Sequence, residues 1–183
     1  FGYVHGGIGL ESKREGKWLW VILWTGLIYS TAAFVRPVCE YLRSLTLLNI
    51  TVTAAMFLFL VLIIGRLLLG FGKLTLPARI LLVLVLSFYA SGLVILKIPE
   101  ERIHLVQYGV LAYLVFNAFT VDFSNQPSFG LAFFVTLGLG WGDEIIQSFT
   151  PGRFYDNKDV ILNGVSGLLG LLLTFLRISK DGR

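Results

Sequence analysis

Six apolar runs, each close to or longer than the span of a bilayer, constrain this chain more than any other feature. They extend from Trp18 to Val35, Leu45 to Leu69, Arg79 to Leu96, Glu100 to Phe119, Ser128 to Phe149 and Asp156 to Leu176. A spanning helix needs about 20 predominantly apolar residues. The runs are continuous rather than alternating, which argues against the dyad pattern of a membrane barrel. In hydrocarbon, backbone polar groups must be satisfied within the segment itself, which leaves helices. The expected fold class is all-α, a polytopic transmembrane helical bundle of about six spans. Pro77, Pro99, Pro127 and Pro151 sit at or near the ends of the runs, as helix punctuation should.

Composition agrees. The 183 residues are 56% hydrophobic and only 14% charged, against about 25% charged in soluble domains. Mean hydropathy is +0.79. The length suits one compact unit, read as a leader over residues 1–17, a membrane-embedded helical domain over 18–177 and a short tail over 178–183. The leader lacks the basic start, apolar middle and small-residue exit of a cleavable signal, and reads as interfacial or cytoplasmic. Cys39 is the sole cysteine, which excludes an internal disulfide and a cysteine-based metal site. The net charge of +4 does not point to nucleic acid, because the basic residues flank apolar runs instead of forming a patch. Six spans bring both termini to one side, with nine basic residues there (Lys13, Arg66 and Arg177 among them) against six on the other. That excess places the termini in the cytoplasm. Trp18, Trp20, Tyr29, Tyr41 and Trp141 are candidate interfacial anchors.

The same topology gathers polar residues at the opposite face. Glu101 and His104 are three apart at the start of the fourth run, and Asp143, Glu144 and Gln147 close the fifth. Arg153 follows Pro151 and Gly152 in a turn, and Asp156, Asp159 and Asn163 open the sixth. Spacings of three and four share a helix face. One polar pocket opening outward is the economical reading. Asp156 and Asp159 fit helix capping equally well. Asp143 and Glu144 stand near a helix C-terminus, where the dipole disfavours negative charge, so they call for a cation. Arg153, Arg102 or a divalent metal would serve, and a structural salt-bridge network and a ligand site both remain open. His104 fits a general base, a metal ligand or a structural hydrogen-bonding role. Gly138 and Gly142, and Gly164, Gly167 and Gly170, read as positions where helix backbones approach closely. No phosphate-cradling glycine loop or nucleophile-elbow serine is present, which speaks against a serine hydrolase.

Glu101-Arg102-Ile103-His104 with Tyr108-Gly109 and Leu111, followed by Asp143-Glu144-Ile145-Ile146-Gln147, Pro151-Gly152-Arg153, Asp156, Asp159-Val160, Asn163 and Gly170, resembles the two signatures of the VanZ-like membrane proteins, within residues 100–170. The family often carries a Lys a turn before the His, where this chain has Glu101 beside Arg102. The resemblance implies a cell-envelope protein of a prokaryotic inner membrane. The family's founding member is associated with low-level resistance to the glycopeptide teicoplanin.

The expectation is therefore an outward-facing pocket for a lipid headgroup or cell-wall precursor. Glu101, Arg102, Asp143, Gln147, Arg153, Asp159 and Asn163 would bind the substrate. Were the protein an enzyme, it would hydrolyse or transfer a lipid-linked phosphate or acyl group, with His104 or Glu144 as base and Arg153 as anion clamp. The sequence assigns no definite cofactor; the acidic pair can seat a divalent cation, Mg²⁺ or Ca²⁺ before a soft metal. The expected partners are membrane lipid and other membrane subunits, with no nucleic acid. The alternative is an accessory subunit of a larger membrane complex, its polar cluster a brace between helices.

Overall fold

Prolines fall where helices begin. Pro77 and Pro99 occupy the first positions of their helices, where a missing N–H costs nothing. The computed structural model describes residues 4–34, 41, 44, 47–69, 74–150 and 153–181. Six helices run through these residues: α1 Val4–Phe34, α2 Leu47–Leu68, α3 Leu76–Ile95, α4 Pro99–Phe119, α5 Asn125–Ser148 and α6 Asn157–Asp181. Among the described residues there is no strand. Cys39, Pro151 and Gly152, singled out above, lie outside the described residues.

Four helices, α2, α3, α5 and α6, are long and apolar enough to cross a membrane. Their outer faces carry large hydrophobic side chains in the open, such as Phe57, Leu62, Val83, Leu84 and Phe134. Such a surface suits hydrocarbon and not water. The protein is an all-α polytopic membrane protein. The other two helices fall short of that measure for different reasons. Helix α1 does not start at Trp18 but at Val4, so most of the expected leader is helical and continuous with the first span. The charged stretch Glu11 to Lys17 lies mostly on the surface, and the helix is tied back to the bundle near there. Lys17 Nζ donates to the Asn117 carbonyl at 2.7 Å, and Arg14 faces Asp122 at 3.8 Å. That second pair is exposed and contributes little.

Helix α4 is too polar because it is enclosed. It touches all five other helices, α6 most extensively. Tyr108, Leu111, Ala112 and Val115 on it are completely buried. A helix screened from lipid on every side can hold Arg102, His104, Gln107 and Asn117 without presenting them to hydrocarbon.

The helices cannot rely on hydrophobic association within lipid, so close packing and hydrogen bonds must hold them. The tightest approach joins α4 to α6. A methyl group added at Gly170 would sit 2.6 Å from the Gly109 Cα. Gly140 packs on Asn163, Gly142 on Tyr29 and Gly167 on Thr136. Gly138 was expected to share this role with Gly142, yet an added methyl there would meet nothing within 4 Å. Tyr29, expected as an interfacial anchor, fastens α1 to α5: its hydroxyl donates to the Leu139 carbonyl at 2.7 Å. Trp24 donates to the Gln107 carbonyl at 3.0 Å, fastening α1 to α4.

Candidate functional site

The start of α4, the end of α5 and the start of α6 meet at one end of the bundle, and their polar side chains form two layers. The inner layer is closed. Tyr108 Oη donates to Asp143 Oδ2 at 2.8 Å, and Gln147 Nε2 donates to the same oxygen at 2.8 Å. Gln147 Oε1 in turn accepts from Arg153. One chain of bonds therefore runs from α4 through α5 into the loop before α6. Asp143, Glu144, Gln147 and Asn163 are all buried, Asn163 at 0% exposure.

Asn163 fixes the state of His104. Its Nδ2 donates to the Gly140 carbonyl at 3.2 Å, which turns Oδ1 toward the imidazole. That oxygen lies 2.8 Å from His104 Nδ1. An amide oxygen only accepts, so Nδ1 carries the proton and Nε2 is the ring's basic nitrogen. A carbonyl on α5 thus sets, through one side chain of α6, which nitrogen of an α4 imidazole can take a proton.

The outer layer is open. A cavity of about 140 Å³ is lined by Glu101, His104, Glu144, Gln147, Arg153 and Asp159, with Ile98 and Phe154 at its apolar edges. Glu144 is only 1% exposed, and its Oε1 has no hydrogen-bond partner. Its carboxylate accepts one bond from the Asp156 backbone. Asp143 Oδ1 is likewise buried without a partner. A buried carboxylate oxygen left unpaired is costly. On the surface, Trp141 Nε1 donates to Tyr155 Oη at 3.1 Å, joining α5 to the segment before α6.

Seven of the nine residues expected at the site stand in this assembly directly: Glu101, His104, Glu144, Gln147, Arg153 and Asp159 on the cavity, and Asp143 in the layer beneath it. Asn163 joins through His104. Arg102 does not. Its Nε donates to the Leu96 carbonyl at 2.7 Å, and Nη1 donates to Asn49 Oδ1 and Thr53 Oγ1 at 2.7 and 2.8 Å. It braces α4 against α2. The reason is geometric: consecutive helical residues point about 100° apart, so with Glu101 on the cavity Arg102 is turned toward α2. Asp156 takes the capping role, with Oδ1 accepting the Lys158 N–H at 2.8 Å. Among the described residues, no group of three or more His, Cys, Asp or Glu is placed to hold a metal ion. Tyr108 was missed as a site residue, although it stands four residues after His104, on the same helix face.

A family model described as VanZ/LLP1 matches residues 17–178. The chain belongs to the VanZ/LLP1 family. That match runs from within α1 to the last turn of α6 and takes in every residue of the cavity. Comparison with curated proteins gives no match, and neither does comparison with solved structures. The VanZ/LLP1 residues that line the cavity carry an uneven charge balance. Glu101, Glu144 and Asp159 bring three carboxyl groups to the lining, against the guanidinium of Arg153.

Proposed function

We propose that this VanZ/LLP1 protein binds, in its polar cavity, a headgroup that carries both an amine and a phosphate. The supporting observation is Glu144: a carboxylate at 1% exposure on the cavity wall, with one oxygen unsatisfied. A brace built only for stability would pair that oxygen. Arg153 donates to the neutral amide of Gln147. Its guanidinium is thereby held in place with donors to spare for a phosphate. An ammonium would meet Glu144 and Asp159, and the phosphate would meet Arg153. His104, its basic nitrogen defined by Asn163, would accept a proton from an attacking hydroxyl or water if the bound group is also transferred or hydrolysed. In this reading the cavity opens to the outer face of a prokaryotic inner membrane, the termini are cytoplasmic, and the ligand is an envelope lipid or precursor.

The test uses the purified protein in mild detergent and three soluble probes: phosphoethanolamine, ethanolamine and glycerol phosphate. A ligand at 100 times its Kd stabilises by about 2.7 kcal/mol. Phosphoethanolamine should raise the unfolding midpoint most, and Glu144→Gln or Arg153→Gln should remove the gain while leaving helicity intact. No gain from any probe, or an equal gain in both variants, would overturn the reading.

The inner layer favours a second role. The Tyr108–Asp143–Gln147 bonds and the His104–Asn163 bond tie three helices together, as a brace in an accessory subunit would. A stoichiometric membrane partner retained through purification would favour that role, together with silence of all three probes.

A further inference from the structure

At the opposite end of the bundle lies a second cavity, larger and of different character. It has a volume of about 340 Å³ and opens between α2, α3, α4 and α6. Its position follows from the bonds around it: Arg177 Nη1 donates to Tyr113 Oη at 2.8 Å near the C-terminal ends of α4 and α6. Three features define its chemistry. The floor is bare backbone, because Gly109 and Gly170 approach too closely for any side chain between them. The walls are mainly apolar, with Phe59, Ile63 and Leu173. Two guanidiniums, Arg66 and Arg177, belong to the same lining and come from near the C-terminal ends of α2 and α6.

A fourth feature lies on the wall. Tyr89 is 0% exposed and lines this cavity, and its hydroxyl has no hydrogen-bond partner. The hydroxyl lies over the floor, 2.8 Å from where a methyl on Gly109 would sit. A buried phenol without a partner needs an acceptor or donor from elsewhere. Gly170 and Arg177 are seven residues apart on α6, about 10 Å of helix at 1.5 Å per residue. The cavity is therefore cationic at one end, mainly apolar along its walls, and holds a buried phenol hydroxyl without a partner.

We propose that this cavity binds one anionic phospholipid. Its phosphate lies between Arg66 and Arg177, an ester oxygen accepts from the Tyr89 hydroxyl, and an acyl chain fills the apolar slot. The volume is within the range of small-molecule sites, and basic pockets between membrane helices are recurrent seats for anionic headgroups. The occupant differs from the ligand of the polar cavity in place and in charge. It carries a net negative charge and an acyl chain, and it enters from the lipid.

The experiment is native mass spectrometry of the intact protein in detergent, offered equimolar phosphatidylglycerol, phosphatidylcholine and oleate. Phosphatidylglycerol should be retained in preference to the other two. The double variant Arg66→Gln/Arg177→Gln should lose that preference by about tenfold or more, the effect of charge-assisted bonds lost. Arg66→Lys/Arg177→Lys keeps the charge and should retain part of it. Val110→Trp fills the slot, leaves both arginines, and should abolish retention with helicity unchanged. Equal retention of phosphatidylglycerol and phosphatidylcholine, dominant retention of oleate, or a preference indifferent to the glutamine double variant would each overturn the proposal.

Discussion

Replacing Gly170 by Ala should loosen the bundle at its most crowded point and disturb a site many ångströms away. The added methyl would stand 2.6 Å from the Gly109 Cα and closer still to the Gly109 carbonyl oxygen. Both contacts are backbone, so no rotamer change can relieve them. To restore the 3.5–4.0 Å spacing of carbon atoms in contact, α4 and α6 must part by roughly 1 Å. Overpacking of this kind costs about 1–3 kcal/mol. The same two helices carry His104 and Asn163, whose bond is 2.8 Å long. A rigid separation of roughly 1 Å would take it past the range of a hydrogen bond. The assay is a detergent titration, sodium dodecyl sulfate against a mild micelle, following helicity. Gly138→Ala is the matched control, because its methyl meets open space. That change removes only the entropic penalty of a helical glycine and should stabilise by about 0.5–1 kcal/mol. The two variants should shift the midpoint in opposite directions, and Gly170→Ala should also weaken phosphoethanolamine protection. If Gly170→Ala were as stable as the parent, the reasoning from backbone contact would be refuted.

Tyr108→Phe removes one of two donors to Asp143 Oδ2 and should cost about 1–3 kcal/mol, the penalty of leaving a buried polar group short of a partner, measured by the same titration. Arg102→Leu leaves Asn49, Thr53 and the Leu96 carbonyl without their donor. It should destabilise by about 1–3 kcal/mol yet leave phosphoethanolamine protection of the folded protein unchanged. Loss of protection would return Arg102 to the binding site.

Much of this arrangement was legible in the chain before any coordinates. The apolar runs located all six helices, because length and continuity are the features a bilayer selects. Convergence of His104, Glu144 and Arg153 followed from counting spans, since alternate helix ends must share a side. Three things were not legible. The start of α1 was hidden because Glu11 to Lys17 are charged yet compatible with helix, and hydropathy reports burial in lipid, not helicity. Arg102 was grouped with Glu101 by proximity along the chain, although helical geometry separates their faces. Its partners Asn49 and Thr53 lie on a helix that the signatures do not reach. Tyr108 was read only as part of a motif, because its role depends on a carboxylate 35 residues away. Similarly, Gly138 and Gly142 look alike in sequence, and only the neighbouring Tyr29 distinguishes them.

The enclosure of α4 bears on how the protein enters its membrane. A segment with an arginine, a histidine, a glutamine and an asparagine partitions poorly when it leaves the translocon alone. Its shelter comes partly from α5 and α6, which are synthesised after it. Insertion must then be a collective event, with α4 held at the lateral gate or the interface until the C-terminal hairpin arrives. A chain truncated after Phe119 should therefore leave that helix outside the bilayer, however well the first three are seated.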